Sequence, residues 1–142
     1  MGRLILASHG GLADGMRSAA EMILGDDVEI SAYSLSTWQT PDAIYAEVAR
    51  ELAQANGDCV IVCDIKGGSV HNRLLDLCTA PNVYLLTGMN LTMVLELCML
   101  APDHKNANAI PEILTAAKDN ICCYASEVLK AMGNAKEEED LW

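Results

Sequence analysis

Asp58-Cys59-Val60-Ile61-Val62-Cys63-Asp64-Ile65-Lys66-Gly67-Gly68-Ser69 decides the fold. Its first part is short, apolar and β-branched, the pattern of a central parallel strand covered on both faces. The strand ends at Asp64, Lys66-Gly67-Gly68 forms a loop, and a helix follows with Leu74, Leu75 and Cys78 on one side. A strand that stops on a polar loop and resumes as a helix is half of a βαβ unit, so the flanking sequence must supply the rest.

It does so in both directions. Upstream, Arg3 to Ser8 reads as a buried strand, and Leu12, Met16, Ala19, Ala20 and Ile23 recur at helical spacing until Gly25. Val28, Ile30 and Ala32 alternate with polar residues as a second strand. Thr40-Pro41-Asp42 then supplies an N-cap, a first-turn proline and an acid suited to the helix dipole, with Ile44, Val48 and Leu52 facing inward. Downstream, a strand from Val83 to Leu86 precedes a helix from Leu91 to Leu100. The alternation predicts an α/β fold: a single-domain, open, doubly wound, mostly parallel sheet with helices on both faces. Ile110 to Lys118 reads as a further helix. Ile121-Cys122-Cys123-Tyr124 either continues it or forms a short fifth strand; Asp119-Asn120 as a stop and Ser126 as a new N-cap favour the strand.

The 142 residues suit one domain, assigned to residues 1–133, with an acidic tail over 134–142 that carries Glu137-Glu138-Glu139-Asp140. With 51% apolar residues and no Phe, the core must be aliphatic. Nine basic against twenty acidic residues give a net charge of −11, which argues against nucleic acid or an anionic membrane as a partner and favours a neutral or basic protein. No apolar run approaches the roughly 20 residues of a membrane helix. Arg3-Leu4-Ile5-Leu6-Ala7 enters a strand without a signal-peptide n-region, so a cytoplasmic protein with no membrane insertion is expected. Six cysteines fit neither a zinc spacing nor a Cys-x-x-Cys motif and are read as reduced, mostly buried thiols without a function.

In an open parallel sheet, ligands bind beyond the carboxyl ends of the strands. Three polar clusters fall there and are expected to converge on one crevice: Ser8-His9-Gly10-Gly11, Asp64 to Ser69, and Thr87-Gly88-Met89-Asn90. His9 can act as nucleophile, and Gly10 and Gly11 let backbone approach a bulky anion. Gly67-Gly68-Ser69 offers N–H groups and a hydroxyl at a helix start, which suits a phosphoryl group. Asp64, accepting from Nδ1–H of His9, would fix the tautomer and leave Nε2 as the nucleophile. The pair resembles that of a serine protease, yet no serine stands in a Gly-x-Ser-x-Gly setting, so the histidine itself is the better acceptor. His71 lies one turn into the following helix, near the crevice, where it could contact a bound phosphoryl group, though a surface or partner-facing role is the favoured reading; His104, in the polar segment 103–108, reads as solvated.

Leu4 to Met16, with Ser8-His9-Gly10-Gly11 at its centre, Asp64-Ile65-Lys66-Gly67-Gly68-Ser69-Val70-His71-Asn72, and Thr87-Gly88-Met89-Asn90-Leu91-Thr92-Met93 occur in an order that resembles the IIA domains of the mannose-fructose-sorbose sugar phosphotransferase systems. The resemblance runs from Arg3 to about Leu100. It implies a phosphotransferase component with a phosphohistidine intermediate. His9 would receive a phosphoryl group from the phosphocarrier protein HPr and pass it to a IIB component for sugar uptake. Asp64 would orient His9, and Ser69 with Gly10, Gly67 and Gly68 would hold the phosphoryl oxygens; no cofactor and no metal are implied. It also implies a homodimer with an exchanged C-terminal strand, for which Ile121 to Tyr124 is the candidate, and a stand-alone IIA, since no IIB sequence follows. Lys66, Val70 and Thr92 depart from the family pattern, where an apolar or aromatic residue, proline and proline are usual.

Rival readings have specific gaps. A receiver domain also places an aspartate after its third strand but needs acidic residues after the first, where Ser8-His9-Gly10 stands. A histidine phosphatase carries an arginine directly before its histidine, where this chain has Ser8. A noncatalytic regulatory module of the same fold is the remaining alternative.

Overall fold

The computed structural model describes residues 2–100 and 106–140. Four strands, β1 (Arg3–Ser8), β2 (Ser31–Ser34), β3 (Cys59–Cys63) and β4 (Val83–Leu86), form one sheet in the order β2-β1-β3-β4, and every pairing is parallel. Seven helices accompany them among the described residues: α1 (Leu12–Leu24), α2 (Leu35–Trp38), α3 (Pro41–Gln54), α4 (Ser69–Leu74), α5 (Leu91–Cys98), α6 (Asn106–Asp119) and α7 (Ser126–Asp140). A 3₁₀ turn, Leu75–Thr79, prolongs α4.

Strand alternation divides the core in two. Leu4 and Leu6 of β1, Val60 and Val62 of β3, and Leu86 of β4 point toward α1, α5 and α6. Ile5, Ala7, Ile61 and Cys63 point the other way, onto Ile44 and Val48 of α3 and Val70 and Leu74 of α4. Each of the Leu, Ile and Val side chains among them, buried at 0–5% exposure, stabilises the fold by roughly 1.5–3 kcal/mol. Thr40 caps α3 as expected, its Oγ1 accepting from Ala43 N–H at 3.1 Å.

Three local expectations change. The second strand begins at Ser31, not Val28: its ladder with β1 starts at the Ile5–Ser31 pair, and a cavity of about 340 Å³ lined by Gly2–Leu4 and Val28–Ser31 lies between the two segments before it, while Ile30 is buried and Val28 packs on the core all the same. Periodicity had reported the direction of these side chains, not the ladder. Leu75 does not share the face of Leu74 and Cys78: the tighter 3₁₀ turn leaves Leu74 buried, Leu75 exposed and Leu77 packed inward instead. Residues 121–125 form neither helix nor strand within the chain, and the first α7 bond, Leu129 N–H to Ala125 carbonyl, puts the cap one residue before Ser126. α7 itself runs on to Asp140, within the segment assigned to the acidic tail.

Candidate functional site

The strand order reverses between β1 and β3, since β1 connects toward one edge and β3 toward the other. The crevice beyond their carboxyl ends is the switch point of the sheet. β1 delivers His9 to it and β3 delivers Asp64. The turn after β1 is braced by hydroxyls from β1 itself, from the end of β2 and from α2. Wholly buried Ser8 donates to the His9 carbonyl at 2.9 Å and accepts from Ala13 N–H at 2.7 Å. Ser36 donates to the Gly10 carbonyl through both its Oγ, at 2.9 Å, and its N–H, at 3.1 Å. Ser34 Oγ accepts from Asp14 N–H at 3.1 Å. Ser8 and Ser34 satisfy N–H donors of α1 that the side-chain-less cap Gly11 leaves open, and Ser36 holds the Gly10 carbonyl. Gly10 sits at φ +50°, a left-handed conformation that disfavours a side chain.

Asp64 is wired at both oxygens. Its Oδ2 accepts from His9 N–H at 2.8 Å and from Nδ1 at 2.9 Å, and its Oδ1 accepts from Ile65 N–H at 3.0 Å. Burial pushes this carboxyl up, but the His9 bonds and the imidazole charge outweigh it and hold Asp64 below the usual carboxylate range. A carboxylate at Nδ1 requires the proton there, so Nε2 carries the lone pair. Ser69 Oγ lies 3.2 Å from Nε2, and the His9 side chain is 42% exposed, open to an incoming group. Gly68 makes this approach possible: a Cβ on it would stand 2.9 Å from His9 Cε1 and 2.8 Å from Ile65 Cγ2.

The structure thus brings His9, Asp64 and Ser69 together as the sequence predicts. It changes the role of two glycines. Gly67 N–H is donated to His71 Nδ1 at 3.1 Å and Gly68 N–H to the Ile65 carbonyl at 3.4 Å, so neither is a free donor; Gly67 serves through its φ of +80° and Gly68 through its missing Cβ. The third cluster does not join the crevice through its side chains. Asn90 caps α5 through Met93 N–H at 2.9 Å and donates to the Ala117 carbonyl at 2.9 Å, while Thr87 lines a groove along β4. Cys59 and Cys63 are buried, but Cys122 and Cys123 are exposed. His104 lies outside the described residues. Sequence reading missed Ser8, Ser34 and Ser36, whose bonds span separations of 5, 20 and 26 residues that no local capping pattern reveals.

A doubly wound α/β domain with a carboxylate-braced histidine at its switch point is the class these features define. The family model described as PTS system fructose IIA component matches residues 3–115, and the chain belongs to that family. Among solved structures, it is similar to a putative phosphoenolpyruvate-dependent sugar phosphotransferase system permease from Klebsiella pneumoniae, at 32% identity over 85% of this chain and 89% of that one, with a TM-score of 0.72. It shares its fold with the phosphotransferase system component EIIA from Streptococcus agalactiae, at 21% identity, 87% and 97% coverage and a TM-score of 0.76. The mannose/sorbose specific IIA subunit from Enterococcus faecalis, at 22% identity, 87% and 95% coverage and a TM-score of 0.70, has the same fold. Membership gives the chain a phosphoryl-transfer role in a sugar phosphotransferase system. Among the described residues, no helix is long and apolar enough to cross a membrane.

Proposed function

We propose that His9 is the phosphoryl acceptor, taking the group from HPr and passing it to a IIB component in the cytoplasm. The observation that carries this reading is the His9–Asp64 bond of 2.9 Å at Nδ1, which leaves Nε2 nucleophilic on the open side. The Nε2 lone pair attacks phosphorus as the bond to the carrier's nitrogen breaks, and no proton need leave His9. Positive charge grows on the imidazole, and Asp64 stabilises it as it forms. Ser69, whose hydroxyl points at resting Nε2, turns its donor to a phosphoryl oxygen, while Gly10 keeps the adjacent space clear. The return step to IIB reverses the same bonds.

The homodimer belongs to this proposal, with residues 1–133 as the working domain and 134–142 as its acidic end. Two features support it. β4 is an edge strand, flanked by a groove of about 750 Å³ whose walls include Tyr84, Leu85, Ile110 and Leu114. The arm beyond α6 leaves Ile121 77%, Tyr124 59% and Leu129 55% exposed. An unpaired edge and an unpaired apolar segment on one chain are satisfied if each copy lends its segment to the other's edge.

Incubation with phosphoenolpyruvate, enzyme I and HPr tests the acceptor. One acid-labile, alkali-stable phosphoryl group per chain is expected, abolished in His9→Ala and retained in His71→Ala and His104→Ala. Label retained by His9→Ala, or an acid-stable, hydroxylamine-sensitive label on Asp64, overturns the assignment.

A further inference from the structure

In the loop that carries Ser69 to His9, the Gly68 carbonyl is held by Asn72 N–H at 2.9 Å as α4 begins, but no backbone bond holds Gly67. Its one internal turn bond, Gly68 N–H to the Ile65 carbonyl, is 3.4 Å long, and Gly67 at φ +80° is free of the steric limits that would confine another residue. Both polar groups of Gly67 are instead taken by two neighbouring side chains of α4. Gly67 N–H donates to His71 Nδ1 at 3.1 Å, and the Gly67 carbonyl accepts from Asn72 Nδ2 at 3.0 Å. Nδ1 has one lone pair and a backbone N–H can only donate, so this bond fixes neutral His71 with its proton on Nε2. The 3.2 Å approach of Asn72 Oδ1 to the same Nδ1 is then a contact between acceptors, with the Asn72 amide oriented by Gly67.

Nothing in the phosphotransfer chemistry above uses His71 or Asn72, yet they hold the residue just before Gly68, which lies against the His9 ring, and two before Ser69, which faces Nε2. We propose that His71 and Asn72 form a clamp on the Gly67 peptide and are positioning residues for phosphoryl transfer at His9. This rests on His9 being the acceptor. The clamp fixes the left-handed turn, the turn sets the Gly68–Ser69 backbone under His9, and Ser69 meets the phosphoryl group already aligned. Prior alignment of a donor counts in the transition state, because a misplaced one must be ordered at the moment of reaction.

The test compares His71→Phe, which fills the ring's space without an acceptor, with His71→Asn, whose Oδ1 stands where Nδ1 stood. Single-turnover transfer from phosphorylated HPr is followed over a range of HPr concentrations, and hydrogen exchange of the Gly67 amide is read on the unphosphorylated chain. His71→Phe should slow the saturated rate about 3- to 10-fold, the loss of one neutral hydrogen bond, with half-saturation unchanged and Gly67 exchange faster by a similar factor. His71→Asn should restore both to within about twofold. A His71→Phe protein that transfers at the wild-type rate, or that changes only half-saturation, overturns the clamp, as does Gly67 exchange that stays at the wild-type value. Wild-type protein that takes no label on His9 defeats the acceptor reading instead, and the clamp's role in transfer with it.

Discussion

The crevice beyond β1 and β3 and the arm beyond α6 are built on opposite terms. In the crevice, Asp64 accepts three hydrogen bonds, the Gly10 carbonyl accepts two, and the reactive ring is braced on three sides by parts of the same chain. In the arm, every described residue from Lys118 to Asn134 is exposed, including Ile121, Tyr124, Val128, Leu129 and Met132. The first region is braced within one chain; the second leaves large apolar side chains exposed, which the proposed dimer would cover with its partner. Chemistry and assembly are therefore separable here, and perturbing one should leave the other measurable.

The largest expected effect lies in the crevice. In Asp64→Asn, a single oxygen replaces two: if it serves His9, the amide nitrogen faces the Ile65 N–H that Oδ1 now accepts, and if it serves Ile65, His9 loses its acceptor. Losing a charge-assisted bond of roughly 1.5–3 kcal/mol corresponds to about 10- to 150-fold in the transfer rate. The same variant reports on stability. Asp64 is held below its ordinary value in the folded chain, so its contribution is complete above the unfolded carboxyl pKa of about 3.9 and disappears as pH falls through the folded value. Urea midpoints of the two proteins should differ at pH 7 and converge below about pH 4. A gap that persists unchanged to lower pH would show that Asp64 acts by packing and not by charge.

A smaller effect on chemistry, but a decisive one on mass, is expected in the arm. Ile121→Asp places a charge on the segment that, in the proposed dimer, lies along the β4 groove, exchanging an apolar contact with walls such as Tyr84, Leu85, Ile110 and Leu114 for a carboxylate that must be desolvated. Light scattering at micromolar concentration should give a dimer for the wild type and a monomer for the variant, with labelling of His9 within about twofold. A wild-type monomer removes the reason for the exposed arm; a variant that loses labelling shows that arm and crevice are coupled after all.

The contrast also explains what the sequence could disclose. Strands β1, β3 and β4 were legible because both faces are buried within the chain, so their apolar runs are unbroken. His9, Asp64 and Ser69 were legible because a parallel sheet sends strand ends to one side. Ser8, Ser34 and Ser36 were not, since their partners depend on how two turns meet in space. Ile121 to Tyr124 stayed ambiguous for a deeper reason: a strand is defined by its neighbour, and this segment has none among the described residues.

The thiols offer the finest probe of that last point. Burial, reinforced by the charge of Asp64, pushes the Cys63 thiol up to about 12, and burial raises Cys59, Cys78 and Cys98 as well, so these four present little thiolate at pH 7. Cys122 and Cys123 are exposed, and a thiol-disulfide reagent should reach them first. In a lone chain both should react in the fast phase. If Ile121 to Tyr124 pairs along the partner's β4, successive side chains point to opposite faces of the sheet, so one of the two thiols must turn inward and the other out. Fast-phase stoichiometry should then fall from two per chain to one as protein concentration rises through dimerisation, and stay at two in Ile121→Asp. Two fast thiols at every concentration would mean that the segment is not a strand in the assembly, because no extended pairing can leave adjacent side chains on the same face.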